Sequence, residues 1–106
     1  MNVVERGILE TFRTLVTRRV RIRQMYLFGS RARGDAAPGS DMDILVVTED
    51  ALGEKDLDFI SDCAWEAGFE RGIVVVPVVF SREEWEKGPE RYSLLAQAVE
   101  LDGVLV

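Results

Sequence analysis

Histidine is absent from this 106-residue chain, and cysteine occurs once, as Cys63. Without imidazole, zinc sites built on histidine and histidine-based nucleophilic triads are excluded. One thiol cannot form an internal disulfide, and any metal must sit on oxygen ligands. No apolar run approaches the length of a membrane span, so no membrane partner is expected. The opening Met1-Asn-Val-Val-Glu-Arg6 lacks the basic-then-apolar order of a signal peptide. A reducing cytoplasm is the expected compartment.

What is present describes an ordinary folded domain. Hydrophobic residues make up 47% and charged residues 30%, the balance of a soluble globular protein with one core. The chain is long enough for a single domain, residues 1–106, and too short for a second. Net charge is -6 and unevenly spread: residues 1–33 hold eight arginines against Glu5 and Glu10, while the remainder holds five cations against seventeen acids. An acidic whole argues against broad nucleic-acid affinity. A basic first third leaves room for a phosphate, an RNA or an acidic partner. The plainer reading puts Arg18 and Arg19 at a helix C-terminus, where cations favour the dipole.

The spacing of Val4, Ile8, Leu9, Phe12, Leu15 and Val16 predicts an amphipathic helix over residues 2–19. A strand is expected over 21–28 and another over 42–48, joined by a loop with Pro38-Gly39. A second helix is expected over about 55–68, with Leu57, Ile60, Cys63, Ala64 and Ala67 facing inward. Residues 72–80 are the most apolar run and predict a third strand, which Pro77 places at an edge or a bulge. Ser81-Arg-Glu-Glu84 has capping-box spacing for a short helix carrying Trp85. Beyond Gly88-Pro89 a last helix over about 89–101 should bury Tyr92, Leu95 and Val99, before a terminal strand Val104-Leu-Val106. Trp65 and Trp85 are expected in the core, with a partner surface as the alternative.

The chemistry concentrates in residues 26–47. Gly29-Ser30 turns the first apolar run into Arg31-Ala-Arg-Gly34, a helix-like stretch whose leading amides suit phosphate. Asp41 and Asp43 open the second run, and side chains two apart on a strand share a face. A Gly-Ser turn alone is an ordinary connection, and Asp-x-Asp alone is often a solvated strand end. Together they suit nucleotidyl transfer, in which a triphosphate needs amide and hydroxyl donors and divalent ions need clustered carboxylates.

Gly29-Ser-Arg-Ala-Arg-Gly34 followed by Ser40-Asp-Met-Asp-Ile-Leu-Val-Val47 resembles the signature of the minimal nucleotidyltransferase (MNT) family within the DNA polymerase β-like superfamily. The resemblance covers about a fifth of the chain. It implies an α+β fold, a small mixed sheet like the polymerase β palm with helices packed on it. It also implies ATP or another nucleoside triphosphate as donor and Mg²⁺, two ions with bound nucleotide, as cofactor. Asp41 and Asp43 would be catalytic and metal-binding, with Gly29, Ser30, Arg33 and Ser40 on the nucleotide. Many similar proteins pair with a helical HEPN protein in toxin-antitoxin systems, and some adenylylate a tyrosine of that toxin.

The resemblance also implies a third carboxylate on the neighbouring strand, yet residues 72–80 contain no acid. By alternation Val74 or Val76 stands at the corresponding place, while Glu70, Glu83 and Glu84 only flank the strand. The alternative reading is therefore a catalytically reduced antitoxin that binds nucleotide or protein. The apolar residues of Val74–Phe80, Trp85 and the last strand lead to an expectation of a homo-oligomer or a stable hetero-complex.

Overall fold

The computed structural model describes all 106 residues. The expected first helix forms as α1 (Val3–Val16), with Asn2 and Glu5 exchanging side-chain and backbone hydrogen bonds in a capping box. It stops three residues short of the predicted end because Val20 folds back to donate to the Val16 carbonyl and joins the core. The chain continues through β1 (Ile22–Phe28), the one-turn helix α2 (Ser30–Arg33), β2 (Met42–Thr48), α3 (Glu54–Phe69) and β3 (Val75–Ser81). It ends with α4 (Arg82–Lys87), a 3₁₀ turn over Pro89–Tyr92, α5 (Leu94–Asp102) and β4 (Val104–Leu105). The predicted capping box at Ser81 is present, with the Glu84 amide donating to the Ser81 hydroxyl at 3.1 Å.

The sheet runs in the order β3-β2-β1-β4 and is mixed: β1 is antiparallel to β2 and β4, whereas β2 and β3 are parallel. One face carries Met25, Leu27, Met42, Ile44, Val46 and Val75 against the apolar stripes of α1 and α3. The other face carries Phe28, Leu45 and Val47 under Trp85, Ala96 and Val99. Because α4 follows the end of β3, which is parallel to β2, Trp85 covers the end of β2 remote from its opening carboxylates. No helix is long and apolar enough to cross a membrane.

Five local expectations need correction. The strand expected from residue 72 begins at Val75, because Gly72 adopts φ 65° and the Ile73 amide donates back to Gly68, closing α3 instead of opening the strand. The last helix is split, since Ser93 is extended and caps α5 through the Ala96 amide. Tyr92 consequently lies in the 3₁₀ turn and is 81% exposed. Leu57 and Trp65 face solvent, Trp65 at 65% exposure and tilted against Phe69, whereas Trp85 is buried as expected.

Pro77 falls on edge strand β3, as the missing amide requires. The Met42 amide donates to the Val74 carbonyl at 2.9 Å. Even positions of β3 therefore turn their backbone groups to β2 and odd positions turn outward. Pro77 thus presents its donorless nitrogen to the open side.

Candidate active site

The antiparallel register of β1 and β2 sets Phe28 opposite Asp43. Gly29, the next residue, therefore passes directly beside the Asp43 carboxylate. A Cβ on Gly29 would lie 2.5 Å from Asp43 Oδ2, and Gly29 has φ 77° and ψ -158°, a region essentially confined to glycine. Backbone shape and lack of a side chain are both required here. The turn and the Asp-x-Asp strand, separated by ten residues in sequence, are one place in space.

At that place α2 starts with Ser30, and the carbonyl of Gly29 accepts from the amides of Ala32 and Arg33 at 3.1 and 3.2 Å. The amides of Ser30 and Arg31, at the first two helical positions, have no acceptor inside so short a helix. Asp41 is exposed and Asp43 half-buried. Burial, and secondarily the charge of Asp41, push the Asp43 carboxyl above the ordinary carboxylate range. An acid destabilised by its own neighbours in this way gains from a cation placed between them.

The parallel register places Val76 opposite Asp43, and paired residues of neighbouring strands share a face. Val76 is therefore the position beside the carboxylate pair, and it brings no acid. Nowhere in the chain do three acidic or thiol side chains gather into a metal-binding group.

Arg18 and Arg19 lie in the turn that closes α1, at the helix C-terminus where the plainer reading of the basic first third put them. Arg19, Arg21, Arg23 and Arg33 pair with Asp56, Asp50, Glu49 and Asp35 at 2.7, 2.7, 3.5 and 3.2 Å. Arg31 is neither a solvated charge nor free for phosphate. Its Nε and Nη2 donate to the Ser40 carbonyl at 2.9 and 2.7 Å, and Nη1 donates to Glu5 Oε2 at 3.0 Å. Both side chains are almost fully buried, 7% and 6% exposed. Burial raises the Glu5 carboxyl, but the Asn2 amide and the Arg31 guanidinium together hold it below its usual value. The Asn-x-x-Glu spacing at residues 2–5 was the available signal for Glu5; nothing local marked Arg31. Arg33 remains on the exposed side of α2, and Ser40 lies half-buried just ahead of Asp41.

Residues 6–100 match the profile of the nucleotidyltransferase domain family. The chain belongs to that family. Within it, the sequence is 37% identical over 84 residues to a candidate protein adenylyltransferase of Methanocaldococcus jannaschii, MJ0604, covering 78% of this chain and 79% of that one. Among solved structures, a toxin-antitoxin complex with AMP-PNP contains a chain similar at a TM-score of 0.65 and 23% identity, over 95% of this chain and 70% of that chain. The complex of a tri-AMPylated Shewanella oneidensis HEPN toxin with its MNT antitoxin gives 0.59 and 21%, over 97% and 68%. These likenesses establish the nucleotidyltransferase fold, with the mixed sheet expected from the signature.

Proposed function

We propose that this nucleotidyltransferase moves a nucleoside monophosphate, AMP from ATP, onto a side chain of a protein partner, as the MNT antitoxin of a HEPN/MNT pair. The observation that carries the reading is the contact of Gly29 with Asp43, which joins a phosphate-suited turn to a carboxylate pair. The candidate adenylyltransferase from M. jannaschii and the AMPylated toxin complex support the choice of AMP and of a HEPN acceptor. Gly29 and Ser30 take the triphosphate through backbone amides and the hydroxyl, and Arg33 and Ser40 flank it. The donor set is all oxygen, which suits Mg²⁺ with retained waters, and Asp41 and Asp43 would hold it. When bound, such an ion neutralises phosphate charge. The acceptor hydroxyl forms a bond to the α-phosphorus, the α–β bridging bond breaks and pyrophosphate leaves. The hydroxyl proton must pass to solvent or to a partner base, because Val76 offers none.

The experiment compares parent and Asp41→Asn/Asp43→Asn proteins with Mg²⁺ and ATP. The parent should be stabilised by mass action, by about 2.7 kcal/mol at a hundredfold excess over Kd. The double variant should show no such rise while its ligand-free form melts no lower, since two crowded negative charges are gone. An unchanged rise in the variant refutes the site. Transfer of label from α-labelled ATP to the HEPN partner tests the reaction itself. Val76 opposite Asp43 favours one second reading, an antitoxin that binds but no longer transfers. Ligand stabilisation without labelling would select it.

A further inference from the structure

We infer that Arg31 is a positioning residue that aims Asp41, acting through the Ser40 carbonyl and anchored on α1 by Glu5. The inference rests on the assignment of Asp41 and Asp43 as metal ligands. Between α2 and β2 the loop has little holding it, with the Gly39 and Ser40 amides both donating to Ala37 within one local turn. The peptide linking Ser40 to Asp41 is gripped by two guanidinium nitrogens. On the other side of Asp41, the Met42 amide is bonded to Val74 of the sheet. Asp41 is thus an exposed residue fixed between two anchors, one from the sheet and one from Arg31.

The anchor is itself held. Glu5 accepts Nη1 with one oxygen and the Asn2 amide, at 3.0 Å, with the other. Glu5 belongs to α1, whose inner face is packed into the core. A planar guanidinium reaching a carbonyl with two donors and a carboxylate with a third fixes an orientation that an ammonium cannot reproduce. The pairing with Glu5 also offsets the positive charge. Arg31 donates to neither aspartate, so it orients the pair without competing with a cation for it.

The test measures Mn²⁺ binding in the presence of ATP by electron paramagnetic resonance, well below the melting temperature, with no turnover required. Partners that orient metal ligands typically affect affinity by about 10- to 100-fold, and Arg31→Lys should weaken Mn²⁺ binding within that range. Glu5→Gln, which keeps the shape but loses the ionic hold, should weaken it less. Ile60→Val, in the core on α3, should lower the melting temperature and leave the Kd unchanged. Parent-like Mn²⁺ affinity in folded Arg31→Lys overturns the inference while leaving the metal assignment intact. Mn²⁺ binding that survives Asp41→Asn overturns the assignment and the inference with it. Equal weakening in Ile60→Val shows a loss that follows stability alone and also overturns it.

Discussion

Replacing Gly29 by alanine separates folding from function at a single atom. The backbone at φ 77° and ψ -158° costs a residue with a Cβ about 1 to 3 kcal/mol. The new carbon, 2.5 Å from Asp43 Oδ2 and 3.4 Å from its Cγ, must also displace the carboxylate. Rotation of that side chain relieves the clash cheaply for the fold, yet it turns away the oxygen the site needs. Gly34→Ala is the matched control. It sits at φ 81° and ψ 11° with nothing within 4 Å of the added carbon, so it pays about 1 to 2 kcal/mol of left-handed strain alone. At about 4 to 8 °C per kcal/mol for a domain near this size, both variants should melt lower by overlapping amounts. Only Gly29→Ala should lose the additional rise produced by Mg²⁺ and ATP in a thermal melt. A Gly29→Ala protein that keeps the parent's ligand-induced rise, or a Gly34→Ala protein that loses it, would refute the reasoning.

Val76→Asp should accelerate adenylyl transfer or ATP turnover, since a positioned base is worth about 10²- to 10⁴-fold, at a cost of about 1 to 3 kcal/mol without metal; a folded Val76→Asp protein with no gain would refute this. The folded Glu5 carboxyl lies below its ordinary value, so its contribution is full above the unfolded pKa and is lost as pH falls through the folded one; Glu5→Gln should flatten the acid limb of stability against pH, and an unchanged limb would count against the buried pair. Trp65→Ser should change stability by no more than about 0.5 kcal/mol, whereas Trp85→Ala, 8% exposed, should cost about 3 to 5 kcal/mol. Chemical denaturation reads both, and similar losses would contradict the opposed burial of the two rings.

Much of the fold was legible because its signals are local. Strand β2 runs from Met42 to Thr48 as its apolar run predicts, and the Ser81 capping box starts α4 where the spacing places it. The closeness of Asp41 to Asp43 is local too: two-residue spacing brings the charge of one to bear on the other whatever the sheet does. What stayed hidden depends on contacts between distant parts of the chain. Arg31 and Glu5 are 26 residues apart, and only the folded packing of α1 beside α2 makes them a buried pair. Trp65 has the composition of a core residue, yet the inner face of α3 is filled by Ile60, Cys63, Ala64 and Ala67, which leaves the indole outside. The split before α5 turned on whether Ser93 would cap a new helix or continue the old one, a choice that Pro89 and Gly88 left open.

Pro77 bears on how another chain can meet this one. The outward amides of β3 belong to odd positions, and the second of them is missing at the proline. A foreign strand laid along this edge would find its ladder interrupted after one turn of the pleat, so newly made copies crowded together gain little by zipping edge to edge. A protein that meets this edge must instead be recognised by side chains, through shape and charge at the surface. Recognition of that kind can be retuned one residue at a time without disturbing the sheet beneath.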